Sequence, residues 1–266
     1  MSAEPLSPGT RLLAGKHAIV TGGARGIGAA VTRVLLDLGA RVTMLGRSVI
    51  KSEEASKTFG EGQPLAYVQA DVGDADEVTR AFESARERSG SVDILVNNAG
   101  QAASAPFRQT DAALWRTMMS VNLDGTYNCT RAAMPAMLEA RWGRIVNIAS
   151  TAGLVGYAYV AAYCAAKHGV IGLTRALAIE VAAKGVTVNA VCPGYTATEM
   201  FQQSVAKIVA KTGRTPEHAA AELIARNPQH RLIRPEEVAN AVAWLCLPGS
   251  EAVTGQAITV AGGEVT

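Results

Sequence analysis

The sequence predicts an α/β fold in a single domain, a doubly wound parallel sheet of about seven strands with helices on both faces. Two observations lead to this prediction. Short runs of apolar, β-branched residues alternate with longer segments in which apolar residues recur at helical spacing. A glycine cluster separates the first such run from the first helical segment, which is a place where open α/β sheets bind ligands. The 266 residues, 48% of them hydrophobic, suffice for one sizeable core.

The composition argues against several classes of protein. The formal net charge is +2 and the basic residues are spread along the chain, so we expect neither a nucleic-acid-binding nor a membrane-binding surface. The four cysteines lack C-x-x-C spacing, and neither they nor the four histidines have the spacing of zinc ligands. We therefore expect reduced thiols in a cytoplasmic protein, and no metal site.

The first 14 residues are expected to lie outside the folded domain. They contain two prolines and a glycine but no apolar run of the kind found in a secretory signal. We therefore expect a flexible N-terminal arm over 1–14 and a single domain over 15–266.

Residues 17–40 read as a strand, a tight turn and a helix. The turn has the pattern T-G-x-x-x-G-x-G, and glycines without a Cβ let backbone N–H groups and the helix N-terminus approach a pyrophosphate. A glycine-rich turn without a ligand is the alternative interpretation. The cofactor-binding residues expected here are Gly22, Arg25, Gly26, Ile27 and Gly28.

The second predicted strand, 41–48, indicates which dinucleotide would bind. An acidic residue about 20 positions after the glycines would hold the ribose 2′-OH of NAD. This chain has Gly46 and Arg47 there, and Arg25 lies in the glycine turn. Two guanidinium groups suit a 2′-phosphate, which favours NADP(H) over NAD(H). Alternatively, both arginines point into solvent.

Polar residues end the next two predicted strands. Asp71 follows the third strand and could accept a hydrogen bond from an adenine amino group, although an ordinary helix-capping role is equally open. Asn97 and Asn98 follow the fourth strand, where they can stabilise the turn and line a cofactor cleft. In this part of the chain we expect a helix-prone stretch at 51–58, a strand at 65–72, a helix at 75–89 and a strand within 92–100.

The next segment, 111–139, is predicted to form one long helix with Asn122 in its interior. Asn is a mediocre helix former. If Asn122 is buried, its amide could hold a water or a lysine through the carbonyl; if exposed, it is an ordinary surface residue.

Residues 144–150 read as a buried strand that ends at Ser150, and Tyr163 and Lys167 follow in an alanine-rich helical segment. Their i, i+4 spacing puts the phenol and the ammonium on one face of a helix, one turn apart. A tyrosine with a pKa of about 10 exchanges protons poorly at neutral pH unless a nearby cation lowers that pKa, and Lys167 is the expected cation. The alternative is a surface tyrosine and lysine on an amphipathic helix.

The last third of the chain contains two strands with helices between them. Residues 185–195 form a sixth strand closed by Pro193 and Gly194, and 257–263 form the last strand. Between them, 199–230 contain two short amphipathic helices, the second with Thr215 as its N-cap. We expect this insert to be a small helical lid over the substrate.

Together these motifs resemble the short-chain dehydrogenase/reductase family, from about Lys16 to Gly263. They are T-G-x-x-x-G-x-G at 21–28, NNAG at 97–100, Asn122, Ser150, Y-x-x-x-K at 163–167 and PG at 193–194. The resemblance implies a Rossmann-like fold and a homotetramer built partly from the helices that carry Asn122 and Tyr163.

The resemblance also implies a role for each of four catalytic residues. Tyr163 would protonate the carbonyl oxygen, Lys167 would lower the pKa of that tyrosine and hold the nicotinamide ribose, Ser150 would polarise the carbonyl, and Asn122 would position a relay water. The further cofactor contacts implied are Asp71, Val72, Asn98, Ala99, Gly100, Tyr163, Lys167, Pro193, Gly194, Thr196 and Thr198.

The resemblance is greatest to a branch that holds β-ketoacyl reductases, polyketide ketoreductases and 3-hydroxybutyrate dehydrogenases. It implies NADPH-dependent reduction of a small-molecule ketone, with a 3-oxoacyl thioester as the favoured substrate. Ile179 stands where carrier-protein reductases often have a basic residue, whereas Arg141 fits the other basic position, so CoA esters and free carbonyl compounds stay open. The alternatives are NAD-dependent oxidation of a secondary alcohol such as a 3-hydroxy acid, and a non-catalytic dinucleotide-binding sensor or scaffold.

Overall fold

In the computed structural model, which describes residues 11–48 and 57–266, seven parallel strands form one sheet in the order β3-β2-β1-β4-β5-β6-β7. The chain builds the sheet outward from β1 to β3, then returns to the other side of β1 with β4. This reversal is the switch point where the carboxyl ends of β1 and β4 open a crevice for a ligand. The strands are β1 (His17–Thr21), β2 (Arg41–Gly46), β3 (Leu65–Gln69), β4 (Ile94–Asn97), β5 (Gly143–Ile148), β6 (Val186–Pro193) and β7 (Ala257–Val260).

Helices cover both faces of this sheet, so the predicted fold is confirmed. On one face, Val31 and Leu35 of the first helix pack with Val238 and Val242 of the last. On the other face, three further helices bury apolar residues such as Phe82, Met137 and Val181 against the strands. The longer helices are α1 (Gly26–Asp37), α2 (Ala75–Ser89), α3 (Ala112–Met119), α4 (Gly125–Ala140), α5 (Ala161–Val181), α6 (Glu199–Thr212), α7 (Pro216–Ile224) and α8 (Pro235–Cys246).

The central strands are buried on both faces, as their continuous apolar runs indicate. Every residue of β5 and of β6 is buried. Local sequence also sets helix starts. Asp74 accepts from the backbone N–H groups of Asp76 and Glu77 at the start of α2, and α7 begins with a proline after the N-cap Thr215.

Two sequence-based expectations change. The single helix expected over 111–139 is divided by a π-helical turn, Ser120–Asp124, between α3 and α4. The folded part also begins before residue 15, because Leu13 is buried and its N–H donates to the carbonyl of Leu38 at 2.9 Å. An apolar residue at that position packs under α1 rather than remaining in solvent.

Several expectations stay predictions. Most of the arm expected over 1–14, and all but the last two residues of the helix-prone stretch 51–58, lie outside the described residues. Two short helices, α6 and α7, occupy the insert 199–230, and their closing over a substrate is not tested. No helix in the described ranges combines the length and the apolar character needed to cross a membrane.

Candidate active site

The glycine turn brings the N-terminus of α1 against the end of β1. Gly22 and Gly26 have φ angles of +63° and +53°, in the left-handed region that glycine adopts readily. A Cβ on Gly28 would lie 2.1 Å from the carbonyl oxygen of Gly22. These glycines therefore allow a close backbone approach that leaves the start of α1 accessible to a phosphate.

The loop after β4 is tied to this turn by hydrogen bonds. The Asn98 amide donates to the carbonyls of Thr21 at 2.9 Å and Gly22 at 3.2 Å. The Thr21 hydroxyl accepts from the backbone N–H groups of Asn98 and Ala99, each at 2.9 Å. Sequence analysis missed Thr21, although its position directly before the first glycine of the motif is a usable signal.

Asn97 lies beneath the cleft rather than in it, contrary to expectation. Its amide donates to Asn147 at 2.9 Å and to Thr130 at 3.1 Å, and Asn147 in turn donates to Thr174 at 2.9 Å. This buried chain of side chains links β4 and β5 to α4 and α5. It holds the strands that end at the site in register with the helix that carries Tyr163. No local pattern indicated Asn147.

The two arginines expected at a 2′-phosphate are exposed at the edge of the cleft. Arg47 lies 4.0 Å from Asp71, and Arg25 forms an ion pair of 3.0 Å with Glu199 at the start of α6. Asp71 also accepts from the N–H of Gly73 at 2.9 Å, which stabilises the turn after β3, whereas Asp74 rather than Asp71 caps the helix that follows. The end of β2 carries no acidic side chain, and the two exposed guanidinium groups fit a phosphate better than a ribose hydroxyl.

The other expected adenine and pyrophosphate contacts are mostly packed into the protein. Val72 is buried, with its carbonyl accepting from the Asn128 amide at 3.0 Å, so it forms the floor of the cleft near α4. Ile27 is half-buried and packs against the core, which leaves its backbone rather than its side chain for a ligand. Ala99 is half-buried beside the glycine turn.

Asn122 is fully buried in the π-helical turn, and its own side chain explains that turn. Its amide donates to the carbonyl of Met118 at 2.9 Å, the acceptor that the Asn122 backbone N–H would use in a regular α-helix. The same amide donates to the carbonyl of Gln101 at 3.0 Å, and its oxygen accepts from the Gln101 N–H at 3.2 Å. The turn thus fixes Asn122 against the loop after β4, consistent with the tendency of π-turns to occur at functional sites.

Lys167 lies next to Asn122 across Gly100. A Cβ on Gly100 would lie 2.9 Å from the side-chain oxygen of Asn122 and 3.6 Å from the Lys167 ammonium. The ammonium donates to the carbonyl of Ile148, at the end of β5, at 2.8 Å. It also lies 5.7 Å from the centre of the Tyr163 ring. The structure therefore brings Asn122, Lys167 and Tyr163 together.

The pKa of Tyr163 differs from the expectation. Burial raises it to about 12, and a hydrogen bond with Ser150 only partly opposes that effect. Burial also lowers the pKa of Lys167 to about 8. Both shifts are toward the neutral form because few polar groups solvate a charge there, although Lys167 with a pKa of about 8 is still largely protonated at pH 7. In the protein alone, Lys167 does not bring the phenol near neutrality, since its ammonium is directed to the Ile148 carbonyl.

Ser150 is held in place at the end of β5. Its hydroxyl accepts from the N–H of Ala152 at 3.1 Å, at the start of a short 3-10 turn. Its backbone is hydrogen-bonded to the buried thiol of Cys192 in β6, whose pKa burial raises to about 11. Sequence analysis assigned Cys192 no role, whereas it lies directly beneath the serine.

The segment after β6 runs from Pro193 to the glycine turn. Gly194 donates its N–H to the carbonyl of Val260 at 3.1 Å, and Thr196 donates to the Gly194 carbonyl at 3.0 Å. The Thr198 methyl would lie 3.1 Å from a Cβ on Gly26. The expected nicotinamide contacts thus line one continuous stretch that begins beside the sheet and ends over the start of α1.

The residues described so far fit a dinucleotide. Gly22, Gly28 and Gly100 stand where a Cβ would fill space between the loops after β1 and β4, and the exposed arginines Arg25 and Arg47 lie at the edge of the cleft. The opposite end of the cleft holds Ser150, Tyr163 and Lys167. Ser150 is hydrogen-bonded to Tyr163, and the Lys167 ammonium lies 5.7 Å from the centre of the Tyr163 ring. This arrangement can hold a cofactor at one end and a reacting carbonyl at the other.

Comparison with known proteins agrees with this geometry. Residues 16–208 match the family model described as short chain dehydrogenase. The chain is 36% identical over 258 residues to a D-beta-hydroxybutyrate dehydrogenase of Cupriavidus necator, covering 96% of this chain and 99% of that protein. It is also 36% identical over 247 residues to an acetoacetyl-CoA reductase of Shinella zoogloeoides, covering 93% and 97%.

A solved structure of similar shape extends the comparison to three dimensions. The crystal structure of a variant of actinorhodin polyketide ketoreductase with NADPH superposes with a TM-score of 0.87 at 39% identity, covering 94% of this chain and 97% of that one. The residues matched by the family model, 16–208, include the glycine turn and the helix that carries Tyr163 and Lys167. The chain belongs to the short-chain dehydrogenase family.

Proposed function

We propose that this protein reduces a ketone to a secondary alcohol with NADPH, and that its substrate is a 3-oxoacyl thioester. The observation that carries the proposal is the meeting of Ser150, Tyr163, Lys167 and Asn122 at the carboxyl ends of the strands, next to a glycine turn with two exposed arginines. The related acetoacetyl-CoA reductase and polyketide ketoreductase support the substrate class.

Each side chain has one task in this reaction. When bound, NADPH supplies the hydride for the carbonyl carbon. Tyr163, with a pKa of about 12, holds its proton at neutral pH and donates it to the carbonyl oxygen. Ser150 donates a hydrogen bond to the same oxygen and orients the carbonyl. Lys167, with a pKa of about 8, is largely protonated at pH 7 and stabilises the phenolate that the tyrosine leaves behind.

Replacement of one hydroxyl tests the proposal. Tyr163→Phe should abolish NADPH-dependent reduction of acetoacetyl-CoA while leaving the Kd for NADPH within about threefold, because a single oxygen is lost from a site with many other cofactor contacts. Tyr127→Phe is the matched control, since Tyr127 is 50% exposed on α4. A Tyr163→Phe enzyme with a tenth or more of wild-type turnover would remove the proposed proton donor.

The second candidate is oxidation of a 3-hydroxy acid with NAD, which the D-beta-hydroxybutyrate dehydrogenase relative favours. Arg25 and Arg47 argue for NADPH instead, because each is more than half exposed and able to turn toward a 2′-phosphate. The ratio of kcat/KM for NADPH to that for NADH decides between them. Arg47→Leu should lower this ratio about tenfold or more, and an unchanged ratio would mean that Arg47 does not select the cofactor.

The carrier of the substrate is also a proposal. Ile179 is 83% exposed on α5, so one of the two positions expected for carrier-protein docking is apolar while Arg141 supplies the other. We favour a CoA ester over a carrier-protein ester on that ground. Comparing kcat/KM for acetoacetyl-CoA and an acetoacetyl carrier protein tests the choice, and a higher value for the carrier protein would reverse it.

We infer a homotetramer that works in the cytoplasm. The exposed apolar side chains of Tyr127 on α4 and Ile179 on α5 support association through these helices. All four cysteines are free thiols, three of them buried, which suits a reducing compartment. Light scattering after size exclusion should give a mass of about four chains, and Ile179→Arg should lower it; a monomeric wild type would contradict the inference.

A further inference from the structure

The space between the active site and the insert 199–230 holds a cluster that the proposed reaction does not use. Its centre is Tyr157, in the loop between the 3-10 turn after Ser150 and helix α5. The Tyr157 hydroxyl donates to one carboxylate oxygen of Glu264 at 2.5 Å and accepts from the Thr151 hydroxyl at 2.9 Å. The other carboxylate oxygen of Glu264 would lie 2.8 Å from a Cβ on Gly194. Tyr157 therefore joins the loop of the catalytic serine to the C-terminal segment beside the nicotinamide end of the cleft.

Arg226 covers the outer face of this tyrosine. Its guanidinium carbon lies 4.9 Å from the centre of the Tyr157 ring. The side chain is exposed, and within the described part of the chain no carboxylate lies within ion-pair distance of it. A guanidinium can stack on an aromatic face while the N–H groups at its edge stay free to donate. These N–H groups lie in the guanidinium plane, where they bind a carboxylate or a phosphate with two hydrogen bonds.

The backbone next to Arg226 is fixed, so this cation has a defined place. Asn227 is buried; its amide donates to the carbonyl of Arg231 and its oxygen accepts from the N–H of Gln229, both at 2.8 Å. A Cβ on Gly262 would lie 2.2 Å from the Asn227 side-chain oxygen. The turn after α7 is thus locked against the C-terminal segment that also carries Glu264.

The positive charge of Arg226 affects the pKa values of two neighbouring tyrosines. Burial raises the pKa values of Tyr157 and Tyr195, Glu264 raises both further, and Arg226 lowers both. Tyr195 directly follows Gly194, so the arginine and the reacting groups share one side of the cleft. The Glu264 carboxylate is hydrogen-bonded to the Tyr157 hydroxyl and forms no ion pair with Arg226. The guanidinium N–H groups of Arg226 are therefore available to bind a ligand.

We propose that Arg226, held on the face of Tyr157, binds an anionic group of the substrate at a distance from the carbonyl that is reduced. The chemistry is that of an oxyanion, either the carboxylate of a free 3-oxo acid or a phosphate of a CoA ester. The inference rests on the proposed ketone reduction and names the part of the substrate that the enzyme recognises. Glu264 limits the strength of this attraction because its own negative charge lies on the same side of Tyr157.

Two substrate pairs that differ mainly in charge test the proposal and separate the two sources. Acetoacetate is compared with methyl acetoacetate, and acetoacetyl-CoA with the N-acetylcysteamine thioester of acetoacetate. Arg226→Gln should lower kcat/KM for the charged member of one pair about 10- to 100-fold more than for its neutral member, mainly through KM, as expected for the loss of a charge-assisted hydrogen bond. The pair affected identifies the carboxylate or the phosphate as the bound group.

Matched variants sharpen the result. Arg226→Lys keeps the charge without the planar fork and should recover part of the loss. Glu264→Gln removes the competing charge and should raise kcat/KM for the same charged substrate severalfold. Arg214→Gln removes another arginine of the insert, one paired with Glu222, and should change the charged and neutral members equally. Equal losses on both members of each pair in Arg226→Gln, or no loss on any, would overturn the proposal.

Direct binding separates this proposal from the proposed function. Calorimetric titration of acetoacetate and of CoA into the NADP⁺ complex should show at least tenfold weaker binding of one of them to Arg226→Gln than to the wild type. Unchanged binding of both overturns the role of Arg226 whatever the turnover. A wild type that reduces none of the four compounds, yet binds one of these anions through Arg226, contradicts the ketone reduction and leaves the anion site standing.

Discussion

Replacing Lys167 by methionine should make the protein more stable while removing its activity. The lysine is 4% exposed, and burial lowers its pKa from the ordinary 10.5 to about 8. One pKa unit corresponds to about 1.4 kcal/mol, so keeping this lysine charged in the folded protein costs roughly 3 kcal/mol at neutral pH. Methionine fills a similar volume without a charge.

The substitution also removes a favourable contact. The ammonium donates to the carbonyl of Ile148 at 2.8 Å, and such a bond contributes about 1 kcal/mol. The net expectation is a gain of about 2 kcal/mol in the free energy of unfolding at pH 7, or a rise in Tm of about 4 °C for a chain of this length. Turnover of a ketone should fall to the background rate.

The stability difference between Lys167→Met and the wild type should depend on pH. Below about pH 8 the lysine is charged in both the folded and the unfolded chain, and the full cost applies. Between about 8 and 10.5 the folded protein releases the proton before the unfolded chain does, so wild-type stability rises with pH in this window. The advantage of Lys167→Met should therefore shrink from pH 8 upward and be nearly gone at pH 10.

Urea unfolding of the wild type and the variant at pH 7, 8.5 and 10 measures this difference. Lys184→Met, at an exposed lysine just before β6, is the control and should change stability by less than about 0.5 kcal/mol at each pH. A Lys167→Met protein that is less stable than the wild type at pH 7, or whose difference does not vary with pH, would refute the reasoning from burial.

Three further predictions follow from the same structure. Gly28→Ala should weaken NADPH binding more than tenfold and lower stability, because the new Cβ would lie 2.1 Å from a backbone oxygen. Gly172→Ala is the control: a Cβ there has nothing within 4 Å, so this change should raise the free energy of unfolding by about 0.5–1 kcal/mol. Fluorescence titration with NADPH and urea unfolding measure the two effects. Thr21→Val should cost about 2–3 kcal/mol and weaken NADPH binding, since two backbone N–H groups of the loop after β4 lose their acceptor; unchanged unfolding curves would contradict this. Burial lowers the pKa of His17, so the protein should lose stability as pH falls below 6.5, and His17→Gln should lose less between pH 7.5 and 5 by urea unfolding.

The sequence by itself determined the fold class, and it predicted the cofactor end of the site and the reacting groups of the proposed function. These features are local. Alternating apolar runs report strands and helices because side-chain direction repeats with the period of each element. The glycine turn and the i, i+4 spacing of Tyr163 and Lys167 place their groups through the geometry of a few neighbouring residues.

Only the tertiary structure decided which residues support these groups and how their charges behave. Thr21, Asn147 and Cys192 act on partners far away in sequence, across strands whose order no local pattern encodes. The pKa of Tyr163 moved opposite to the expectation because burial, a property of the whole packed fold, raises it while the Lys167 ammonium is directed to the Ile148 carbonyl. The contact between Arg226 and Tyr157 also depends on the tertiary structure. The fold brings the insert and the C-terminal segment to one side of the cleft, and such contacts between distant segments exist only once the chain has folded.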